Sequence, residues 1–451
     1  MKTNVQIVEK YRELIFAAER YIWNHPETGF KEYQTSAYMA EQFEKLGYQL
    51  TYAEGITGFY TEVNTGKAGP TVLVLAELDA VVCPSHPAAN PQTGAVHACG
   101  HNAQCAAILG LAAALKEQDV LQGLCGKIRL CCVPAEECLE FDYRKELQRK
   151  GKIGYLGGKT EFLSRGYFDG VDMAFMVHTG ASKERGGSVN VGGDTGFIAK
   201  TITYKGVTGH ASCGAWLAKN ALYAAMSGLN AVNALRETFK ENDKVRWHPI
   251  IVNGGDVVNN IPDKVVVESQ LRGANYEVLQ YENRKINRAL AGAALSFGAQ
   301  IEIDDDFGYA PLQNSADLAM LAKEVFDSIN PVRPCSVYGQ GGQIGGGSTD
   351  LGDLSALMPV IHPYIGGAAG KGHGEDWEIF DPEHACVTSA KWQLAIIRKL
   401  LEDNATRARE ILANYHAPFA TKEEFFACRN MMRRNGECIQ YDGENRAEII
   451  L

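Results

Sequence analysis

The chain has 451 residues, 45% of them hydrophobic, and a formal net charge of −10; that is more than one hydrophobic core usually supports, so two domains are expected. The acidic balance excludes broad electrostatic attraction to nucleic acid or anionic membranes, and with no apolar run of about eighteen residues a membrane-spanning helix is not expected. Twelve cysteines, mostly in apolar contexts, fit thiols kept reduced in the cytoplasm better than a disulfide framework.

Residues 3–24 and 36–46 read as amphipathic helices, the second stopped by Gly47. Residues 71–80 are too continuously apolar for a half-exposed strand and predict one buried on both faces of a sheet, with Asp79 at its carboxyl end. A loop over 83–96 leads to His97-Ala-Cys-Gly-His101. If that segment is extended, its two-residue spacing places His97, Cys99 and His101 on one face, ahead of a helix over 102–116. The plainer alternative is a buried thiol among core or surface histidines. Strands over 127–137 and 171–178 repeat the plan and deliver Glu136, Glu137 and His178. In open α/β sheets ligands bind beyond the carboxyl ends of the strands, so these residues are expected to converge there.

From residue 194 the pattern changes. Strands over 195–205, 264–272 and 299–304, with helices over 218–239 and 276–297, predict a small open-faced α/β sandwich inserted in the larger domain. The buried pattern resumes with a helix over 315–329, a glycine-rich segment 338–350, a strand over 358–365 and a helix over 382–402. The expected fold class is therefore α/β: a catalytic domain with a mostly parallel buried sheet flanked by helices (1–193 and 309–415), an inserted sandwich (194–308) and an extension over 416–451 with no assigned role.

Cys99, His101, Glu137, His178 and His373 are candidate donors to metal. Five are too many for one open tetrahedral site and suit two ions sharing a ligand, an arrangement used for hydrolysis. Adjacent carboxylates point in different directions, so one of Glu136 and Glu137 can bind metal while the other acts as general base. The glycine run 339–347 lacks the Lys-Ser/Thr of a phosphate loop, and Ser348 lacks the context of a serine nucleophile. Tight turns are the expected use of those glycines.

The motifs Leu75-Ala-Glu-Leu-Asp-Ala80, His97-Ala-Cys-Gly-His-Asn102, Pro134-Ala-Glu-Glu137, Val177-His178, Gly206-Val-Thr-Gly-His-Ala211, Asn259-Asn-Ile-Pro-Asp263 and Gly347-Ser-Thr-Asp-Leu-Gly-Asp353 stand in one order over residues 5–400. Together they resemble the aminoacylase/carboxypeptidase family of metal-dependent amidohydrolases, nearest its p-aminobenzoyl-glutamate hydrolase and β-alanyl dipeptidase-like branch. The resemblance implies two divalent metal ions, Zn2+ or Mn2+, held by Cys99, His101, Glu137, His178 and His373, with Glu136 as general base. It implies that the inserted domain is a lid that forms a homodimer, that His210 polarises the scissile carbonyl in the partner's active site, and that Asn260 and Arg272 hold a substrate carboxylate. His97 has no ligand counterpart and is expected to orient a neighbour. Asn102 and Gln104 stand where many relatives have Asp and His, which leaves the substrate range open. The expected activity is hydrolysis of the amide of an N-acyl amino acid or dipeptide-like small molecule with a free carboxylate. Its rivals are a non-catalytic ligand-binding protein with the same fold and an amidase using Cys99 or Cys105 as nucleophile with His101.

Overall fold

A helix without a polar face belongs inside a protein, and His101–Leu115 is buried at every one of its positions. In the computed structural model, which describes residues 4–443 and 446–451, this helix lies in the first of two units. That unit holds the chain up to Gly193, Gln313–Gln343 and Asp353–Pro418; the second holds Asp194–Leu312, Ile344–Gly352 and Phe419–Leu451.

The first unit is built on a six-stranded sheet in the order Thr51–Tyr52, Phe59–Asn64, Lys127–Val133, Thr71–Glu77, Met173–Phe175, Val360–Ile361. Thr71–Glu77 is buried throughout, as its continuous apolar run predicts, and pairs in parallel with both neighbours. Val360–Ile361 extends the parallel part. Phe59–Asn64 runs antiparallel to both of its neighbours, so the sheet is mixed, with the expected parallel pairing over its other four strands. A four-stranded sheet, Ser336–Tyr338, Gly187–Asn190, Tyr364–Ile365 and His178–Thr179, continues the unit. Phe43, Phe59 and Phe175 are fully buried in one core with Ile15, Leu109 and Trp392, each phenylalanine contributing about 1.5–3 kcal/mol. Gly110 sets how closely helix Arg12–Trp23 approaches: a Cβ there would lie 2.5 Å from Ile15 Cδ1. Helix Ala316–Ile329 starts at Ser315, whose hydroxyl accepts the Leu318 N–H.

The second unit carries an antiparallel five-stranded sheet in the order Arg246–Asn253, Lys264–Gly273, Gly196–Lys205, Gln300–Tyr309, Arg434–Glu437. Helices Ala221–Ala234 and Tyr276–Ser296 belong to it. Two strands exceed the expected three. Arg246–Asn253 escapes a sequence reading because Pro249 interrupts it and most of its side chains are exposed, both of which an edge strand tolerates. The otherwise unassigned tail supplies Arg434–Glu437, and Arg429, almost fully buried, donates to the carbonyls of Phe307 and Gly308. Inside the unit Lys200 Nζ meets Asp305, Asn283 Oδ1 and Asn287 Oδ1 with no exposed surface on the ion pair. Among the described residues no helix is long and apolar enough to cross a membrane.

Candidate metal centre

The site lies just beyond the strand ends of the first unit. Glu136 and Glu137 follow Lys127–Val133 in a loop, Asp79 stands two residues past Thr71–Glu77, and His178 opens the strand after Met173–Phe175. The five expected donors fall into two groups, Cys99/His101/His178 and Cys99/Glu137/His373, with the donor atoms of each group within 4.8 Å of one another. Cys99 belongs to both. Its Sγ is 3.5 Å from His178 Nε2, and His373 Nε2 is 3.0 Å from Glu137 Oε1.

Two of the imidazoles are aimed by their other nitrogen. His101 Nδ1 is 2.8 Å from the Asp79 carbonyl and His178 Nδ1 is 2.9 Å from the Thr179 carbonyl. A carbonyl only accepts, so both rings carry hydrogen on Nδ1 and leave Nε2 for a ligand. His373 adopts a left-handed backbone (φ 60) and its N–H donates to the Ala98 carbonyl, which holds the loop at 371–376 beside Cys99.

The segment 97–100 is a turn, not the extended stretch the spacing suggested. Gly100 takes φ 87, and its N–H donates to the His97 carbonyl. That reversal separates His97 from the other two donors. The ring of His97 is buried with no hydrogen bond to either nitrogen among the described residues, and burial lowers its pKa to about 3. It therefore orients no neighbour by hydrogen bonding, contrary to the expectation from sequence.

The acids around the centre are held individually. Asp79 accepts the N–H groups of Glu136 (3.1 Å) and Glu137 (2.8 Å). Glu77 is fully buried; against that burial Lys159 and His101 keep its carboxyl well below the usual range. Lys159 Nζ is 2.5 Å from Glu77 Oε1 and the Gln104 amide donates to Oε2 at 2.9 Å. His101 Nε2 lies 3.1 Å from Glu77 Oε2 but off the line of a hydrogen bond. Gln104, unusual by comparison with its expected family, thus steadies an acid beside a candidate ligand, and Asn102 donates to Glu19. Lys159 comes from the helix Gly158–Ser164, whose first residue must be glycine because the Pro134 carbonyl occupies the place of a Cβ. Glu77 was visible in sequence as a lone charge inside an apolar strand; no sequence signal links Lys159 to it.

Burial, with Glu137 beside it, raises the Cys99 thiol well above the usual range, whereas His373 and His101 keep Glu137 below its ordinary value against burial. Burial and the neighbouring His101 lower the His178 pKa to about 4. Thiol, imidazole and carboxylate donors converging on one crevice fit a divalent cation, and a third group, Glu77/His101/Glu136, shows that Glu136 faces the same space. The cysteine-nucleophile alternative loses support. Cys105 is buried, its thiol donates to the Glu77 carbonyl, and burial pushes its pKa up, all opposite to an activated thiolate.

The second unit carries the other expected residues. His210 and Asn260 face each other across a short antiparallel pair. The N–H groups of Ser212 (3.2 Å) and Cys213 (3.1 Å) donate to His210 Nδ1, so the neutral ring carries its hydrogen on the exposed Nε2. Arg272 stands apart on Lys264–Gly273, its guanidinium donating to the Gly346 carbonyl at 2.9 Å. Gly339, Gly341 and Gly342 take positive φ, as tight turns require, and the Ser348 hydroxyl donates to the Thr195 carbonyl.

The sequence matches peptidase family M20/M25/M40 over residues 73–399. It is 28% identical over 386 residues to Xaa-Arg dipeptidase of Mus musculus, covering 79% of this chain and 78% of that one. It is 26% identical to N-acetyl-L-cysteine deacetylase of Bacillus subtilis, covering 71% and 73%. Among solved structures, a dinuclear metal-binding peptidase of Bacillus subtilis superposes with a TM-score of 0.64 at 21% identity, over 87% of this chain and 99% of that one.

Proposed function

The chain belongs to peptidase family M20/M25/M40, and on that premise we propose that it hydrolyses the amide of an N-acyl amino acid or dipeptide with a free carboxylate, using Glu136 as general base. The observation that carries this reading is the pair of donor groups sharing Cys99, with Glu136 facing the same crevice. Cys99, His101 and His178 would hold one divalent ion and Cys99, Glu137 and His373 the other; the thiolate and imidazole donors suit zinc, and manganese is the alternative. When bound, such ions polarise a carbonyl and make water a nucleophile at neutral pH.

The chain's own residues supply the proton transfers. Asp79, by accepting two successive N–H groups, fixes the loop from which Glu136 takes a proton from the attacking water and returns it to the leaving amine. His210, with hydrogen on Nε2, is a donor suited to the oxygen on which charge develops. Arg272 would bind the substrate carboxylate together with Asn260, which, paired with His210, would come from the second copy.

In this reading the second unit is a lid through which two copies pair. The tail strand Arg434–Glu437 covers one edge of its sheet, while Arg246–Asn253 leaves the other edge open with Ile250, Ile251 and Val252 exposed. The thiol-rich composition supports a cytoplasmic location.

Glu136→Gln tests the core of the proposal. Metal content should stay at the wild-type level while turnover of acyl-amino acids and dipeptides falls by about 10²–10⁴-fold. Undiminished turnover would remove Glu136 from the reaction, and metal without turnover of any substrate by the wild type would favour a binding protein.

A further inference from the structure

Three successive N–H groups at the centre go to the side chains of acids. That of Ala135 donates to Glu32 Oε1 at 2.8 Å, and those of Glu136 and Glu137 donate to Asp79. The carbonyls of the same loop turn the opposite way and meet one guanidinium. Arg144, on helix Phe141–Arg149, is 1% exposed. Its Nε donates to the Leu139 carbonyl at 2.9 Å, Nη1 to the carbonyls of Ala135 (3.3 Å) and Leu156, and Nη2 to the carbonyl of Glu137.

We infer that Arg144 is a positioning residue for the metal centre: by holding the carbonyls on either side of Glu136, it fixes the directions in which the Glu136 and Glu137 carboxylates leave the backbone. The inference rests on the roles proposed above for those two residues. Three features of the loop support it. Ala135 and Glu140 both take left-handed backbone conformations, φ 59 and φ 52, which L-residues adopt only when their surroundings hold them there. Glu140 is anchored separately, by Thr28 and Lys31. Gly29 keeps room for the guanidinium, since a Cβ at that position would overlap Nη2.

The geometry calls for arginine in particular. Four carbonyls approach one planar group from several directions, and a guanidinium offers five N–H donors in a fixed fork. An ammonium is a single point at the end of a flexible stem and reaches only part of that set. A carboxylate and a general base attached to adjacent residues share one peptide plane, so a rotation of that plane moves both. Arg144 acts on that plane through the carbonyl that follows it.

The test compares the wild type with R144M, R144K and G29A. Metal affinity is read by competition with a chromogenic chelator, kcat and KM are read on one acyl-amino acid, and the fold is checked by circular dichroism. R144M should bind metal about 10–100-fold more weakly, the range seen when a partner that orients a ligand is lost. Its kcat should fall at saturating metal while KM changes by less than about threefold, and R144K should recover part of both. G29A retains the charge and crowds both the guanidinium and Ala135, the residue whose carbonyl Nη1 holds, so it should weaken metal binding in the same direction even if R144M does not fold. A folded R144M with wild-type metal affinity and kcat, or a G29A indistinguishable from wild type, would overturn the inference while leaving the proposed centre intact. A wild type that binds no divalent metal would overturn the centre itself, and the role of Arg144 with it.

Discussion

Cys99 is the donor on which the two-ion reading depends, because it alone belongs to both groups of three. Cys99→Ala lowers each group from three protein donors to two. His178→Ala or His373→Ala does so for one group only. Loss of a partner that merely orients a ligand already weakens metal binding by about 10–100-fold. Loss of a direct donor should therefore exceed about 100-fold, at both positions for Cys99→Ala and at one for either histidine variant. The assay is metal content per chain after purification without chelator, followed by chelator competition. About two ions are expected for the wild type, about one for each histidine variant and close to none for Cys99→Ala. Cys99→Ser separates size from chemistry: its hydroxyl fills the space but does not ionise, so it should behave as alanine does. Retention of about two ions by Cys99→Ala, with unchanged chelator competition, would refute the shared-ligand arrangement.

Two further outcomes concern the scaffold. Lys200→Met removes one partner of a buried ion pair and leaves Asp305 charged inside the second unit; urea unfolding should show a loss of about 3–5 kcal/mol, most of it recovered when Asp305→Leu is added. Glu32 is held by Thr57 and Ala135, and burial, reinforced by Asp79, raises its pKa from 4.5 to about 8. The folded state thus holds a proton there that the unfolded chain has released. Its contribution to stability is full below about pH 4.5 and is lost as pH rises through about 8, at no more than about 1.4 kcal/mol per pH unit. Glu32→Gln, which resembles the protonated acid, should flatten that decline in unfolding experiments between pH 5 and pH 9.

Much of the centre was legible because its chemistry uses residue types that are conspicuous in apolar surroundings. Thr71–Glu77 and Lys127–Val133 announce themselves by continuous burial, and the acids just beyond them have no reason to be there except a site. What stayed hidden has a common cause. The turn at 97–100 depends on one left-handed glycine, which an alternating spacing cannot reveal, so His97 was grouped with donors it does not join. The edge strand Arg246–Asn253 and the tail strand Arg434–Glu437 take their structure from a neighbour's backbone, not from a buried face of their own. Lys159 and Arg144 are charges whose partners lie far along the chain or are carbonyls, and carbonyls leave no mark in a sequence.

The electrostatics of the centre explain why these supports are needed. Glu77 is balanced by Lys159, and Asp79 by two N–H groups, so neither depends on an added ion. Cys99 and Glu137 are different. In the absence of a cation, burial and the neighbouring carboxylates keep the thiol protonated, and Glu137 relies on His373 and His101. Burial works against His178 taking a proton, with a pKa lowered to about 4, and His97 is lowered to about 3 by the same cause. His101 differs: against burial, Glu77 raises its pKa well above the usual range, and its positive charge helps to keep Glu77 and Glu137 ionised. Divalent cations held by Cys99 and Glu137 would take the place of protons on the thiol and on His101, and binding them requires that the donors already point inward, since a flexible loop would turn its acids to water instead. Asp79 and Glu32 from the N–H side, and Arg144 from the carbonyl side, keep the loop from making that turn.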